Sequence, residues 1–213
     1  MKSGLFQYWP RHKPIPEGWR DTGSDLAHHG TYSILIEEIP MRIIALSGLA
    51  GSGKSTVAAC LAAKHGFVRV RFADPLKTML RAIGLSDDEI EGDGKEKPSA
   101  LLMGKTPRLA MQTLGTEWGR QIIGPDFWTG LWERTVCDVL DQGGKVVTED
   151  CRFPNEAAAG RKLGGIIWRI EHPGLLAGAH LSERALQGIK PDAAIVNDGS
   201  LGDLALKVEA LLP

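Results

Sequence analysis

The run Gly48-Leu49-Ala50-Gly51-Ser52-Gly53-Lys54-Ser55 fits the spacing G-x-x-x-x-G-K-[ST] at every fixed position. That spacing constrains the fold as well as the ligand. Backbone N–H groups converge on a row of phosphates only where the chain bends tightly and carries no obstructing side chain, and glycine permits both. The bend also has to sit between a buried strand and the start of a helix, whose N-terminal end favours an anion. The flanks supply these partners. Arg42-Ile43-Ile44-Ala45-Leu46-Ser47 is an apolar run of strand length, and Thr56 to His65 is a helical pattern stopped by Gly66. The expectation is a strand–loop–helix unit for a nucleoside triphosphate, with Gly51, Ser52 and Gly53 in the loop, Lys54 on the outer phosphates and the Ser55 hydroxyl on Mg²⁺. The motif says that a triphosphate binds and leaves open what is done with it.

With 213 residues the chain can bury a full core as one domain. A hydrophobic content of 43% and a charged content of 24% are those of an ordinary globular protein, and the formal net charge of −1 argues against a general binder of nucleic-acid polymers. Cys60, Cys137 and Cys151 have neither metal-ligand spacing nor the pattern of a disulfide framework, so a cytoplasmic setting is expected. Cys60 and Cys137 fall in helical patterns and read as small core residues. No apolar run reaches the ~18 to 20 residues of a membrane span.

Residues 1–40 differ from the rest. Pro10, Pro14, Pro16, Gly18, Gly23 and Gly30 interrupt any periodicity, so the first strand is expected only after Met41. The segment reads as an irregular appendage to a domain over 41–213, with Met41 as an alternative start. His28 and His29 have no third metal ligand nearby and read as solvated.

From residue 42 strand and helix patterns alternate. Strands are expected at Phe67 to Phe72, Lys145 to Thr148, Gly165 to Ile170 and Ala193 to Val196. Helices are expected from Asp74, with Asp74 as N-cap and Pro75 in the first turn, and over Arg108 to Leu114, Phe127 to Leu140, Glu156 to Leu163 and Leu201 to Leu212. Residues 84–106 are polar and broken by glycines, which suits a mobile loop or lid. The fold class is therefore α/β, with a mostly parallel five-stranded sheet and helices on both faces. Ligands in such folds lie beyond the carboxyl ends of the strands.

That rule singles out Glu149 and Asp150 after the third strand of the domain, either of which could steady Mg²⁺ or, for Glu149, cap the next turn. Phosphoryl transfer also needs cations around donor and acceptor, and Arg108, Arg120, Arg152 and Arg169 border elements on the binding side. A phosphate acceptor needs no general base, because its oxygen is already an anion. His65, at a helix C-terminus, reads as structural, while His172 and His180 stay open.

The blocks Phe72-Ala73-Asp74-Pro75-Leu76-Lys77, Arg108-Leu109-Ala110-Met111-Gln112-Thr113-Leu114-Gly115-Thr116-Glu117, Asp150-Cys151-Arg152-Phe153-Pro154-Asn155-Glu156, His180-Leu181-Ser182-Glu183 and Asn197-Asp198-Gly199-Ser200-Leu201 keep their order over about residues 42–212. In them the chain resembles the deoxynucleoside monophosphate kinases of bacteriophages. The resemblance implies a P-loop NTPase/kinase fold and transfer of the γ-phosphoryl group of ATP to a deoxynucleoside 5′-monophosphate, with ATP and Mg²⁺ required. It places Lys54, Ser55 and Thr56 on the ATP phosphates and Mg²⁺, with Asp150 a further candidate for the metal. Lys77 and Arg108 would meet the acceptor phosphate; Gln112, Thr116 and Trp128 would line the deoxynucleotide pocket, Trp128 as a stacking face; Asp150, Arg152 and Glu156 would hold the opposite wall. Lys54, Arg108 and Arg152 are the implied catalytic cations. Two other readings stand beside this one: a different small-molecule P-loop kinase, such as one for dephospho-coenzyme A, and a nucleotide-dependent switch. The sequence leaves the oligomeric state open, a homodimer being compatible with it.

Overall fold

The computed structural model describes residues 6–10, 20–21, 31–35, 41–175 and 185–213, and the chain divides into two compact units, Met1–Pro40 and Met41–Pro213. His28, His29, His180, Ser182 and Glu183 lie outside the described residues. In the first unit β1 (Phe6–Pro10), β2 (Arg20–Asp21) and β3 (Thr31–Leu35) form an antiparallel sheet in the order β1-β3-β2. The expectation that no strand precedes Met41 is thus corrected. Pro14, Pro16, Gly18, Gly23 and Gly30 fall between the strands, and Pro10 ends β1, a position where a missing ladder donor is tolerated.

The second unit is built on a parallel sheet of β4 (Ile43–Ser47), β5 (Phe67–Arg69), β6 (Lys145–Thr148), β7 (Ile166–Glu171) and β8 (Ala193–Val196), in the order β5-β6-β4-β7-β8. Central β4 is buried along its whole length, which explains its uninterrupted apolar sequence. Ile43 and Ala45 face a core shared with Trp132 and Val136 of α5 (Phe127–Asp141) and Ala157 and Ala159 of α6 (Pro154–Lys162). Ile44 and Leu46 face the opposite core, with Val57, Ala58 and Leu61 of α1 (Lys54–His65) and Leu204 and Val208 of α7 (Leu201–Glu209). Two-residue alternation on one strand thus serves both layers. His65 is structural, as expected: its Nε2 lies 3.1 Å from Glu209, joining the ends of α1 and α7.

Between β5 and β6 the chain inserts a helical group, α2 (Asp74–Ala82), α3 (Asp87–Ile90), a 3₁₀ turn (Asp93–Glu96) and α4 (Pro107–Thr113). β5 ends at Arg69, short of the expected Phe72, because Asp74 draws the chain into a turn by accepting from the Arg71 backbone N–H at 2.8 Å. Asp74 is the first helical residue and not the N-cap, which is Ala73. Within the 84–106 stretch, expected as a loop or lid, residues 87–90 and 93–96 are helical and 97–106 follow in turns. Ser86 and Glu89 form a reciprocal capping box that starts α3, and Leu85 and Ile90 are buried against Leu76, Leu80 and Trp128.

Leu114–Ile123 continues α4 as a π-helix, an element the periodicity gave no sign of. Its wider turn admits a neighbouring ring. The Trp128 indole donates to the carbonyl of Gly115 at 2.8 Å, and a Cβ on Gly119 would lie 2.2 Å from Trp128 Nε1. Glycine at 119 is therefore set by close approach and not by backbone dihedrals.

Two outcomes are expected. A chain beginning at Met41 should unfold in one cooperative urea transition, since the second unit has its own cores; a non-cooperative transition would show that it depends on the first. Gly119→Ala should destabilise by about 1–3 kcal/mol through the clash with Trp128, although alanine normally favours a helix. An unchanged urea midpoint would contradict that packing.

Candidate functional site

Because all five strands run parallel, the loops that follow β4, β5, β6 and β7 open at one edge of the sheet. The glycine-rich loop leaves β4 there. Gly48, Gly51 and Gly53 have positive φ, and a Cβ on Gly48 would lie 2.2 Å from the Ile170 carbonyl oxygen of β7. The far wall is fixed by Asn197, whose amide donates to the Ser52 carbonyl at 3.0 Å. In the sequence Asn197 stands within a longer block and carries no role of its own. Its signal is its place directly after β8.

Ser55 and Thr56, at the start of α1, are exposed, as a ligand-binding hydroxyl pair requires. Lys54 differs from a solvent-facing side chain: it is buried in the loop, with Nζ donating to the Leu49 carbonyl at 2.6 Å. Ser52 Oγ is buried with no hydrogen-bond partner, an orphaned donor inside a loop shaped for an anion. A cleft of about 260 Å³ adjoins the loop, lined by Ser52, Arg169, His172, Leu175, Leu186 and Gln187 among others. Leu175, Leu186 and Gln187 had not been singled out, because they carry no motif.

The β5–β6 side is organised by carboxylates. Asp150 accepts from the backbone N–H groups of Phe72 and Ala73, both at 3.0 Å, and so ties the end of β6 to the start of α2. Burial pushes its carboxyl above the usual range, opposed by those two N–H groups and by Arg152. Each oxygen thereby accepts a backbone N–H, which gives Asp150 a structural role beside the metal or acceptor role expected of it. Its neighbour Glu149 is 7% exposed; Oε1 pairs with Arg69, and Oε2 is buried without a partner.

Glu156 is engaged with the protein in the same way. It is 3% exposed, pairs with Arg120, and accepts from the backbone N–H groups of Arg152 at 2.6 Å and Phe153 at 3.0 Å. The Arg120 guanidinium also lies over the Phe153 ring, 3.9 Å from its centroid. Of the four border arginines, Arg120 is thus engaged in structure, as is Arg169, which donates to the carbonyls of Leu186 and Ile189. Trp128 is 2% exposed and packed against Phe127 and Trp118, so it presents no free face for stacking. Cys137, expected in the core, is exposed on α5.

Lys77 and Arg108 carry their charges on α2 and α4. Lys77 Nζ donates to Glu91 at 2.8 Å, and the Arg108 fork donates twice to Glu96 Oε1, at 2.9 and 2.7 Å. Gln112 and Thr116 lie half-buried on α4 and the π-helix, and Gly115 packs beside Leu76, next to Lys77. Lys77, Arg108, Gln112 and Thr116 therefore belong to one helical group, while Arg152 comes to the same sheet edge on the β6–α6 loop.

The loop on β4 and the parallel order around it define a P-loop phosphotransferase. The deoxynucleotide monophosphate kinase family model matches residues 105–208. A putative deoxynucleotide monophosphate kinase of Acanthamoeba polyphaga mimivirus is 35% identical over 176 residues, covering 76% of this chain and 91% of the relative. The deoxynucleotide monophosphate kinase of Enterobacteria phage T4 is 26% identical over 150 residues, covering 64% of this chain and 61% of the relative. Among solved structures, the APS kinase of Mycobacterium tuberculosis with AMPPNP and APS covers 81% of this chain and 98% of its own, at 18% identity and a TM-score of 0.46. Shikimate kinase from Aquifex aeolicus covers 79% and 94%, at 18% identity and a TM-score of 0.43. The chain belongs to the deoxynucleotide monophosphate kinase family and is a kinase.

Burial pushes the Glu156 carboxyl from 4.5 up to about 7, against the pull of Arg120 and the two backbone donors. A carboxyl raised on folding contributes stability that is complete below its unfolded value of 4.5 and lost as pH rises through about 7. Between these limits the loss should be on the order of 3 kcal/mol. Glu156→Gln should flatten that part of the urea-measured stability profile, and an unaltered slope would refute the assignment.

Proposed function

We propose that this kinase moves the γ-phosphoryl group of ATP to the 5′-phosphate of a deoxynucleoside monophosphate, giving the diphosphate and ADP. The observation that carries the reading is the division of one sheet edge into two anion-handling halves. The glycine loop follows β4, and a cation-bearing helical group with Lys77 and Arg108 follows β5. Family membership supports the choice of acceptor.

In this reading the loop N–H groups, with Gly51, Ser52 and Gly53, wrap the donor phosphates, and the orphaned Ser52 hydroxyl gains a phosphate oxygen as acceptor. Lys54 leaves the Leu49 carbonyl for the outer phosphates, a small movement for an ammonium already inside the loop. Lys77, Arg108 and Arg152 neutralise the acceptor phosphate, while Gln112 and Thr116 face its nucleoside. An acceptor oxygen, already anionic, forms the new bond to the γ-phosphorus as the bond to the β–γ bridging oxygen breaks, and ADP carries away the electron pair. No general base is needed.

The residues present suit Mg²⁺. The exposed Ser55 hydroxyl and the unmatched Glu149 Oε2 are hard oxygen donors, and Mg²⁺ takes few such ligands while keeping its waters. Ser55 would hold the ion, and a carboxylate after β6, Glu149 or Asp150, would hold one of its waters. When bound, the ion supplies positive charge to the donor phosphates.

The test is a coupled assay with ATP, Mg²⁺ and a panel of deoxy- and ribonucleoside monophosphates. ADP formation should depend on a deoxynucleotide; stimulation by none would reject the acceptor, and steady hydrolysis without acceptor would favour a switch. Lys54→Met, which keeps the buried stem and removes the charge, should lower kcat about a hundredfold or more with the fold retained.

A further inference from the structure

We propose that Glu91 and Glu96 set the affinity for the acceptor, acting as internal counter-ions that compete with its phosphate for the same cations. The proposal rests on the reading above, in which Lys77 and Arg108 receive that phosphate. Each of these cations is held by a carboxylate from the short segment that follows α3 and includes the 3₁₀ turn: Lys77 by Glu91 at 2.8 Å, and Arg108 by a two-pronged contact with Glu96.

Glu91 does more than pair with one lysine. Its Oε1 lies 3.1 Å from Arg71 Nη2 and 3.6 Å from Arg81 Nη2, so it sits among three cations. Burial would raise its carboxyl, but Lys77 and Arg71 overcome this and hold it below the usual range. Glu91 is therefore ionised at neutral pH. Arg71 continues the network, with Nε 2.7 Å from Asp74 and Nη1 3.8 Å from Glu149.

A phosphate monoester arriving at Lys77 meets the carboxylate of Glu91 as a like charge; the Lys77 side chain is 15% exposed and that of Glu91 36%, so the repulsion is only partly screened. It binds by taking over the Lys77 ammonium and leaving Glu91 to Arg71 and Arg81. Those two remaining partners make the exchange feasible, because Glu91 is never stranded without a cation. At Arg108 the same exchange is easier, since both partners face solvent. A purely supportive role would act in the opposite direction: if Glu91 and Glu96 aimed their cations, neutralising them would weaken acceptor binding.

The experiment uses the full chain with Glu91→Gln, Glu96→Gln and the double substitution. KM for the best deoxynucleoside monophosphate and KM for ATP are measured together. Each single change should lower the acceptor KM about three- to tenfold, the two effects should multiply, and the ATP KM should not move. An acceptor KM that is unchanged or raised overturns the proposal. A second readout does not need turnover. Inorganic phosphate is titrated by calorimetry in the Lys54→Met background, which weakens the loop as a competing site. Tighter phosphate binding on neutralising Glu91 or Glu96 supports the exchange even if no monophosphate proves to be a substrate, and unchanged or weaker binding rejects it. Should Glu91→Gln fail to fold, the solvent-exposed Glu96→Gln decides the matter.

Discussion

The burial of β4 on both faces is the constraint on which the second unit depends. A strand with no solvated side must be flanked by parallel neighbours and covered by two helical layers, and here those are α1 with α7 and α5 with α6. Once this is satisfied, the loop that leaves β4 has little freedom. Gly48 lies against the β7 backbone and Ser52 is held by Asn197 beyond β8, so the loop is shaped before any ligand arrives. Preorganisation of this kind lets backbone dipoles act on phosphate charge without rearrangement.

The other half of the edge is stabilised by different means. Its helices pack through Leu76, Leu80, Leu85, Ile90 and Trp128, a small core apart from the two on the sheet. Its attachment to the sheet relies on carboxylates: Asp150 grips the turn before α2, and Glu156 grips Arg120 and the start of α6. Buried carboxylates with several donors are costly to break and hold a geometry that apolar contacts alone would leave loose. Acidic residues here fix cations and backbone, Lys77 and Arg108 among those cations.

Much of this was legible in the sequence. The strands Lys145–Thr148 and Ala193–Val196 and the helix from Asp74 follow from apolar runs and turn residues, because local propensity and burial agree there. The π-helix was not legible. It continues an α pattern, and its cause is an indole thirteen residues from Gly115 that only packing brings near. The strands before Met41 were hidden by prolines and glycines that turned out to separate them. The candidate site divided along the same line. Ser55 and Thr56 are exposed at the start of α1, whereas Trp128, Asp150 and Glu156 each meet partners within the protein that no local pattern announces.

By itself the sequence determined the phosphate-binding loop, the strand and helix that hold it, and the alternating order that makes the sheet parallel. Each of these is set within a few consecutive residues, where spacing and backbone conformation decide the outcome. Only the tertiary structure decided which partner within the protein each charged group meets. An isolated carboxylate reads the same whether it meets a metal, a phosphate-binding arginine or two backbone N–H groups, and its partner is chosen by elements far away in the chain. That is why Glu149, adjacent to Asp150, keeps a buried oxygen unmatched while Asp150 does not.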